Sequence, residues 1–511
     1  MDSNTRMAFN TLVLYAQLII TVAVNLFSTR LILNAMGVED YGIVNLIAGI
    51  VAMLSFIQNS MAVSSQRYMS VNMGKNDSQL QHKVFNTSFL LHIFFFIGLL
   101  VILEILQPIV FNSSIQIPID RVESALVLYQ LTVIGSLLIV LTVPFDATMN
   151  AHENMLMFSI FSIVESLIRL GGALFLLVYN HDKLIFYGIL IILIRLVGLL
   201  LKWCYCKFHY LESRICFHRV DKKLMKEMLS FAFWNMFGAF ALTGRNQGLA
   251  VMLNTFFGVA INASYGIANQ VGGQLSNFTS VISKAMNPQI MKNAGAMHNN
   301  KVIKLSLVQC KMTSLLMLWF VIPLLLTLPY VLKLWLATVP EYCIVFCQYF
   351  LLVNLINQMS TGLMAAVQSS GKIMKYQIIV SIIILSNLPM AYFALNRGFP
   401  PQSVLVCMVM IEVACMLFRA IYVQRIFSSD IIVFFKGVLI PVVFVFILSL
   451  LLSLTFKLVL NNLINLGNPI ITIILSVFFT AGCTLFVLTS EERSIIFSIL
   501  HKFKRKFGNE N

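Results

Sequence analysis

The stretch YGIAN at residues 265–269 decides the fold, because a near-copy of it, YGIVN, stands at residues 41–45. A second match, Leu-Asn, precedes each copy in the same order, at residues 33–34 and 253–254. Each copy of the longer motif opens a predicted apolar span, and six predicted spans separate the two. Since six is even, both copies face the same way across the membrane, which indicates a parallel internal repeat. The sequence therefore predicts two parallel six-helix repeats.

The amino-acid composition assigns the chain to a class. Of its 511 residues, 59% are hydrophobic and 11% are charged, against about 45–50% and about 25% in soluble domains. Apolar runs of about 20 residues recur along the whole chain, and this length crosses a bilayer as a helix. The sequence therefore predicts an all-α polytopic membrane protein. Its nine cysteines are scattered without metal-ligand spacing, and we interpret them as packing residues.

Hydropathy divides the chain into about 14 predicted transmembrane helices. The predicted spans are 10–34, 42–63, 84–106, 125–147, 155–178, 184–201, 231–256, 264–286, 305–331, 344–367, 376–395, 403–423, 438–456 and 469–488. The predicted domains are an N-lobe at 1–210 with spans one to six, a C-lobe at 211–430 with spans seven to twelve, and two C-terminal helices at 431–490. Residues 491–511 are a predicted basic cytoplasmic tail, whose apolar and cationic residues suit an interfacial helix on anionic lipid.

The distribution of Lys and Arg predicts the orientation of the chain, which carries a formal net charge of +15. Most of these residues fall in segments on the same side of the membrane as the N-terminus, and such an excess is typical of cytoplasmic loops. The first apolar run is too long for a cleaved signal. Both termini are therefore predicted to be cytoplasmic. The basic charge reflects topology, because nucleic-acid binding would require a folded basic domain.

Arg245 lies in the middle of the apolar span at 231–256. An ionisable group at the bilayer centre costs about 2.5–3.5 kcal/mol by insertion scales, so it indicates a partner or a task. Small residues stand at spacings of three and four around it and can line a cavity or accept a close helix neighbour. They are Gly238, Ala241 and Gly248. By the repeat, Asn25 is the counterpart of Arg245 in the first half of the chain.

Span five carries a predicted ion pair. Glu165 and Arg169 stand four residues apart with the acid first, which is the favoured order on a helix. A structural pair would fix helix packing, whereas a functional pair would relay a proton or hold a charge of the substrate. The sequence leaves both interpretations open. Arg30 and Arg195 are further arginines within predicted spans.

Side-chain amides gather on spans eight and ten. They are Asn269, Gln270, Gln274 and Asn277 on span eight, with Asn354, Asn357 and Gln358 on span ten. Because an amide that faces lipid is costly, these residues predict an inward face. Such a face lines a hydrated cavity suited to a hydroxyl-rich ligand such as a sugar, or it forms interhelical hydrogen bonds of about 0.6 kcal/mol each. The sequence leaves both open for span eight and favours the cavity for span ten.

Four motifs near the N-terminus carry a family resemblance. They are NTLVLY at 10–15, TRLILNAMGVEDYGI at 29–43, SQRYMS at 65–70 and MGKND at 73–77. Together they resemble the polysaccharide-biosynthesis flippases, which are the Wzx-type O-antigen and capsule exporters of the multidrug/oligosaccharidyl-lipid/polysaccharide superfamily. The local match covers roughly the first 80 residues. Topology, repeat and size carry the resemblance over the rest of the chain.

The resemblance implies two lobes around a V-shaped central cavity, and the translocation of an undecaprenyl-diphosphate-linked oligosaccharide across the bacterial inner membrane. The lipid-linked oligosaccharide and membrane lipids are the implied partners, and the glycan polymerase and glycosyltransferases of the same pathway are further ones. Cationic cavity residues of such proteins meet the diphosphate or acidic sugars, and Arg245 and Arg169 hold suitable positions here. The predicted substrate-binding residues are these two arginines, Glu165, Asn25 and the seven amides of spans eight and ten.

Two other functions compete with this interpretation. A cation-coupled multidrug exporter of the same superfamily is expected to place a carboxylate in the N-lobe cavity, and span one has no acid. A membrane enzyme, such as a glycan polymerase or an acyltransferase, would need a large outer loop or an intramembrane His with polar neighbours. Every predicted outer loop is short, and His92 has no polar partners nearby in sequence. No cofactor is expected. No Walker motif occurs, so the driving force would be an ion gradient, of H⁺ or Na⁺, or substrate flux.

Overall fold

The computed structural model describes residues 3–52, 55–112, 118–216, 220–336, 338–464, 469–490 and 492–493, and helices dominate these residues. The first six helices are α1 (Ser3–Ala52), α2 (Ser55–Gly74), α3 (Ser78–Asn112), α4 (Val122–Ala151), α5 (Met155–Val178) and α6 (Lys183–His209). The others are α7 (Lys222–Phe257), α8 (Val259–Gly295), α9 (Asn299–Trp335), α10 (Cys343–Gln358), α11 (Thr361–Ser370), α12 (Met374–Leu385), α13 (Asn387–Asn396), α14 (Ser403–Phe427), α15 (Ile431–Phe434), α16 (Ile440–Ile464) and α17 (Pro469–Val487). A π-helical turn, Phe435–Leu439, joins α15 to α16. The all-α prediction is confirmed.

Two glycines mark equivalent corners of the repeat. Gly37 interrupts α1 with φ 83° and ψ 171°, and Gly258 separates α7 from α8 with φ 84° and ψ −178°. This backbone region is open to glycine and strained for residues with a Cβ atom. Gly37 follows the first Leu-Asn pair closely, and Gly258 follows the second. The two copies of the sequence repeat therefore share the same backbone conformation shortly after this pair.

The chain divides into two compact units. The first unit is Leu12–Met236, and the second unit combines Met1–Thr11 with Phe237–Asn511. The predicted domain limits at 210 and 430 stay predictions. The predicted tail at 491–511 lies outside the described residues, apart from Glu492 and Arg493.

In the first unit, α4 lies close against α6 at two glycines. A Cβ atom on Gly135 would stand 2.8 Å from Ile191, and one on Gly188 would stand 2.7 Å from Leu131. Contacts this short let two helix backbones approach closely. The close pair α4–α6 brings the charged residues of both helices within reach of each other and of α5.

In the second unit, the small-residue face of α7 packs against α12 and α13. A Cβ atom on Gly248 would stand 2.7 Å from Leu388, and Gly238 lies directly against the side chain of Gln377. Of the two uses open to these small residues, the structure therefore shows the close helix neighbour. The neighbouring helices α10 and α11 form one element that bends by 42° where they meet.

The membrane-spanning character of the chain is confirmed, and the count of 14 is not. Ten described helices are long and apolar enough to cross a membrane, and the bent pair α10–α11 makes an eleventh. The three remaining predicted spans, 42–63, 231–256 and 264–286, lie on α1–α2, α7 and α8. The last two of these spans are helical in α7 and α8, and residues 53 and 54 of the first lie outside the described residues.

Candidate functional site

One face of α8 carries exposed amides. The side chains of Asn269, Gln270, Gln274 and Asn277 are all exposed, as is Gly273 among them. Their spacing puts them on one side of the helix, and the Asn277 amide donates a hydrogen bond to the Gln274 oxygen at 3.5 Å. Exposed amides are costly in lipid, which favours a hydrated environment for this face of α8.

The amides of α10 contact protein. The Asn354 oxygen accepts a hydrogen bond from the Ser276 hydroxyl of α8 at 2.6 Å. The Asn357 amide donates to Glu412 of α14 at 3.3 Å, and Gln358 is buried at the end of α10. Asn354 and Asn357 are half-buried and bond to neighbouring helices, so the structure shows helix-to-helix contacts here, and the cavity favoured for span ten stays a prediction.

Arg245 is sealed inside the second unit with a partner that lies far away along the chain. Its guanidinium donates to the Glu412 carboxylate at 2.7 Å, and the side chains are only 3% and 4% exposed. The Arg245 Nε group also donates to the Asn246 side chain at 3.3 Å. A charge-assisted bond of this length is strong, so the pair fastens α7 to α14.

A second buried charge on α14 holds the bend between α10 and α11. Arg419, which is buried, donates to the Ser360 hydroxyl at 2.7 Å. The Ser360 hydroxyl in turn donates to the Asn357 carbonyl at 3.2 Å. Glu412 and Arg419 stand seven residues apart on one side of α14, and they hold Asn357 near the end of α10 and Ser360 in the bend.

The first unit contains a chain of alternating charges on α4, α5 and α6. Lys202 lies 3.1 Å from Asp146 and 3.6 Å from Glu165, and Glu165 lies 3.5 Å from Arg195. Gly198, one turn from each cation on α6, lies directly against the Glu165 carboxyl group, and a Cβ atom there would stand 2.9 Å from the carboxyl carbon.

The predicted pairing of Glu165 with Arg169 needs a correction. The ion-pair partners of Glu165 among the described residues are Arg195 and Lys202. Helical spacing would allow Glu165 to pair with Arg169 on α5, but the Glu165 carboxylate packs against Gly198 of α6 instead. Arg169 remains within electrostatic range of Arg195 and is half-buried on α5, and Asn25 is half-buried on α1.

Three charged residues of this cluster were missed by the sequence prediction of the site: Asp146, Arg195 and Lys202. The signal for two of them was present, because Arg195, Gly198 and Lys202 follow spacings of three and four on one helical face. A small residue between two cations on such a face favours a carboxylate from the neighbouring helix. Asp146 gave no comparable signal, since it stands alone near the end of its predicted span.

The two charged networks differ in closeness and exposure. The Arg195–Glu165 pair is 3.5 Å long with side chains 31% and 18% exposed, whereas charge-assisted hydrogen bonds are about 2.7–2.9 Å long. The Arg245–Glu412 pair has the shorter length and almost no exposure. The ion pairs of the first unit are therefore longer and more exposed, whereas the Arg245–Glu412 pair of the second unit is short and buried.

Comparisons with known proteins identify a family and a fold. A family sequence profile described as polysaccharide biosynthesis protein matches residues 8–294. No curated protein matches the sequence.

Solved structures of transporters share the fold. A crystal structure of MATE in the straight conformation has a TM-score of 0.72 and 13% identity, covering 84% of this chain and 97% of that chain. The outward-facing conformation of a multidrug resistance MATE family transporter of the MOP superfamily also gives 0.72 and 13%, covering 83% and 95%. A MOP superfamily transporter from Pyrococcus furiosus gives 0.69 and 12%, covering 84% and 98%. At such identities the likeness shows the fold.

Proposed function

The chain belongs to the polysaccharide biosynthesis protein family, and from this premise we propose that it is a flippase for a lipid-linked glycan. Its substrate is an undecaprenyl-diphosphate-linked oligosaccharide, such as a repeat unit of O-antigen, capsule or exopolysaccharide. The protein carries this substrate across the bacterial inner membrane by alternating access. Both termini lie in the cytoplasm, as the distribution of Lys and Arg predicts.

The exposed amide face of α8 is the observation that carries the proposal. Amide groups donate and accept hydrogen bonds at the same time, which suits the many hydroxyl groups of an oligosaccharide. Asn269, Gln270, Gln274 and Asn277 present four such groups on one side of a helix. A lipid tail or an apolar drug would gain no binding free energy from this face, because the amide groups of α8 would stay unpaired against it.

The charged cluster of the first unit supports the diphosphate part of the substrate. Arg169, Arg195 and Lys202 supply three cations, against two carboxylates, Asp146 and Glu165. An excess positive charge inside a transporter attracts an anionic group, and guanidinium groups match phosphate oxygens in a bidentate manner. We therefore assign the diphosphate to the first unit, with Arg195 and Arg169 as its ligands. Arg245 then serves the fold, because Glu412 already occupies its guanidinium.

A cation-coupled multidrug exporter is the second candidate, because structures with this fold include a multidrug resistance transporter. Such an exporter would need a carboxylate free to take the coupling cation. In the first unit, Asp146 and Glu165 are both held by Lys202 or Arg195. This arrangement favours an anionic substrate. The exporter alternative predicts that deleting the gene raises drug sensitivity and leaves surface glycan unchanged.

Surface glycan in a deletion strain tests the proposal. The strain is complemented with the wild-type protein, with the pair Gln270→Leu and Gln274→Leu, and with Thr255→Leu as a matched control on another exposed position. Membrane levels of each variant are matched by immunoblot. Wild type and the Thr255 control should restore glycan, and the double variant should not. Full export by the double variant would remove the amide face from the transport path.

A further inference from the structure

The Glu165 carboxylate lies where an anion of the substrate would bind. It stands 3.5 Å from Arg195 and 3.6 Å from Lys202, which are one helical turn each from Gly198 on the same face of α6. Any side chain at position 198 would collide with the carboxylate. The glycine thus creates the space between the two cations, and Glu165 fills it.

Both contacts of Glu165 are longer than a charge-assisted hydrogen bond, which measures about 2.7–2.9 Å. Its side chain is 18% exposed, and that of Arg195 is 31% exposed. A loosely held, partly hydrated ion pair contributes little to stability, so it can open without large cost. The buried Arg245–Glu412 pair, at 2.7 Å, shows what a permanent pair of this chain looks like.

Of the two cations, Lys202 keeps another ion-pair partner among the described residues without Glu165, and Arg195 does not. Lys202 keeps Asp146, which lies at 3.1 Å and is the closer of its two carboxylates. Arg195 pairs with Glu165 and lies within electrostatic range of a second cation, Arg169, so the departure of Glu165 would leave two guanidinium groups near each other without that carboxylate between them and an anion. A diphosphate would bring more negative charge to that space than one carboxylate does.

From these observations we propose that Glu165 is a displaceable placeholder for the phosphate group of the substrate. In the empty transporter it neutralises Arg195 and fills the space above Gly198. An incoming diphosphate displaces it and binds Arg195 and Arg169, and Glu165 returns when the substrate leaves. The chemical class of ligand rests on the proposed function, whereas the displacement itself is a property of this cluster.

An internal competitor lowers the apparent affinity for the ligand by the fraction of time for which the site is free. If Glu165 holds the site for about 90% of the time, its removal tightens binding roughly tenfold. The same removal should slow release of the substrate, because the carboxylate no longer competes for the cations. Tighter binding together with slower glycan export is therefore the signature of a placeholder, and a merely structural carboxylate would not produce it.

The experiment measures binding of farnesyl diphosphate to purified full-length protein in nanodiscs, with farnesol as the uncharged probe. The variants are Glu165→Gln, Glu165→Ala, which empties the space above Gly198, and Arg195→Ala. Glu104→Gln is the matched control, because Glu104 is another carboxylate of the first unit and accepts its hydrogen bond from Gln130. We expect Glu165→Gln and Glu165→Ala to tighten binding about tenfold, Arg195→Ala to abolish it, and the control to match wild type.

Equal or weaker binding by Glu165→Gln would overturn the proposal. If that variant fails to fold, as judged by size-exclusion chromatography, Glu165→Ala decides alone, and unchanged affinity there is equally adverse. Glycan export by the wild-type protein separates the two proposals. Export with an unchanged affinity of Glu165→Gln refutes the placeholder and keeps the flippase, whereas a tightened affinity without any export by wild type refutes the flippase and keeps the placeholder.

Discussion

Replacing Arg245 with Ala separates a structural role from a transport role for the most deeply placed arginine of the chain. The Arg245 guanidinium and the Glu412 carboxylate are 2.7 Å apart and almost fully buried. Removing one partner of a buried pair strands the other charge, at a cost of about 3–5 kcal/mol. Arg245→Ala should therefore lower the melting temperature and the yield of folded protein, although a substrate-binding arginine in an open cavity would leave both unchanged.

A matched pair of variants makes the test quantitative. Arg245→Met combined with Glu412→Leu removes both charges and replaces them with apolar side chains of similar volume. Exchanges of this kind in buried ion pairs are often neutral or stabilising, so the double variant should regain most of the lost melting temperature. The assay is thermal unfolding in detergent, followed by fluorescence-detected size exclusion. An Arg245→Ala protein as stable as wild type but inactive in glycan export would refute the structural role and return Arg245 to the substrate site.

Three further predictions concern the backbone, the pH response and the topology. Gly258→Ala should cost about 1–3 kcal/mol and lower the melting temperature, because φ at Gly258 is 84°; no change would mean that this corner relaxes freely. Burial is the largest influence on Glu212 and raises its pKa, but the hydrogen bond with His152 at 2.5 Å, a backbone hydrogen bond and the charges of His152 and His82 together outweigh burial and lower the pKa. The stabilisation by the Glu212 carboxylate is therefore complete above its usual pKa of about 4.3, and it is lost as the pH falls through the lowered pKa. The melting temperatures of wild type and Glu212→Gln should therefore converge in acid. A difference in melting temperature that stays constant with pH would contradict this. A cysteine at Lys301 should react with an impermeant reagent only in opened cells and one at Asn396 in intact cells, and the reverse pattern would invert the topology.

The architecture was predictable because it depends on features that are local in sequence. Apolar runs indicate spans, and the paired YGIVN and YGIAN motifs indicate the repeat. The backbone at Gly37 and Gly258 then shows the same corner twice. The number of spans is harder to predict, because α7 and α8 combine the length of a span with a polar face.

The charged sites were predictable in residue type and not in pairing. Arg245 stood out by its depth, but Glu412 lies 167 residues further along the chain, and no periodicity links the two. Glu165 stood out together with Arg169 at helical spacing on α5, yet its carboxylate packs against α6, because Gly198 of α6 leaves room for it. Pairing depends on which helices meet, and one sequence does not contain that information.

The amides show the same limit. The amides of α8 and α10 are alike in type and spacing. The four amide side chains of α8 are exposed, whereas Asn354 and Asn357 of α10 form hydrogen bonds with neighbouring helices. A helical pattern shows that residues share a face, and only the packed structure shows whether that face is covered.

The most direct test of the flippase proposal is translocation by the purified protein in liposomes. A fluorescent undecaprenyl-diphosphate-linked oligosaccharide is placed in both leaflets, and an impermeant quencher reports the outer fraction over time. Liposomes with wild-type protein should expose the inner-leaflet substrate to the quencher, and the Gln270→Leu and Gln274→Leu double variant should leave about half of the signal protected, as empty liposomes do. Protection of the inner leaflet by folded wild-type protein would contradict the account.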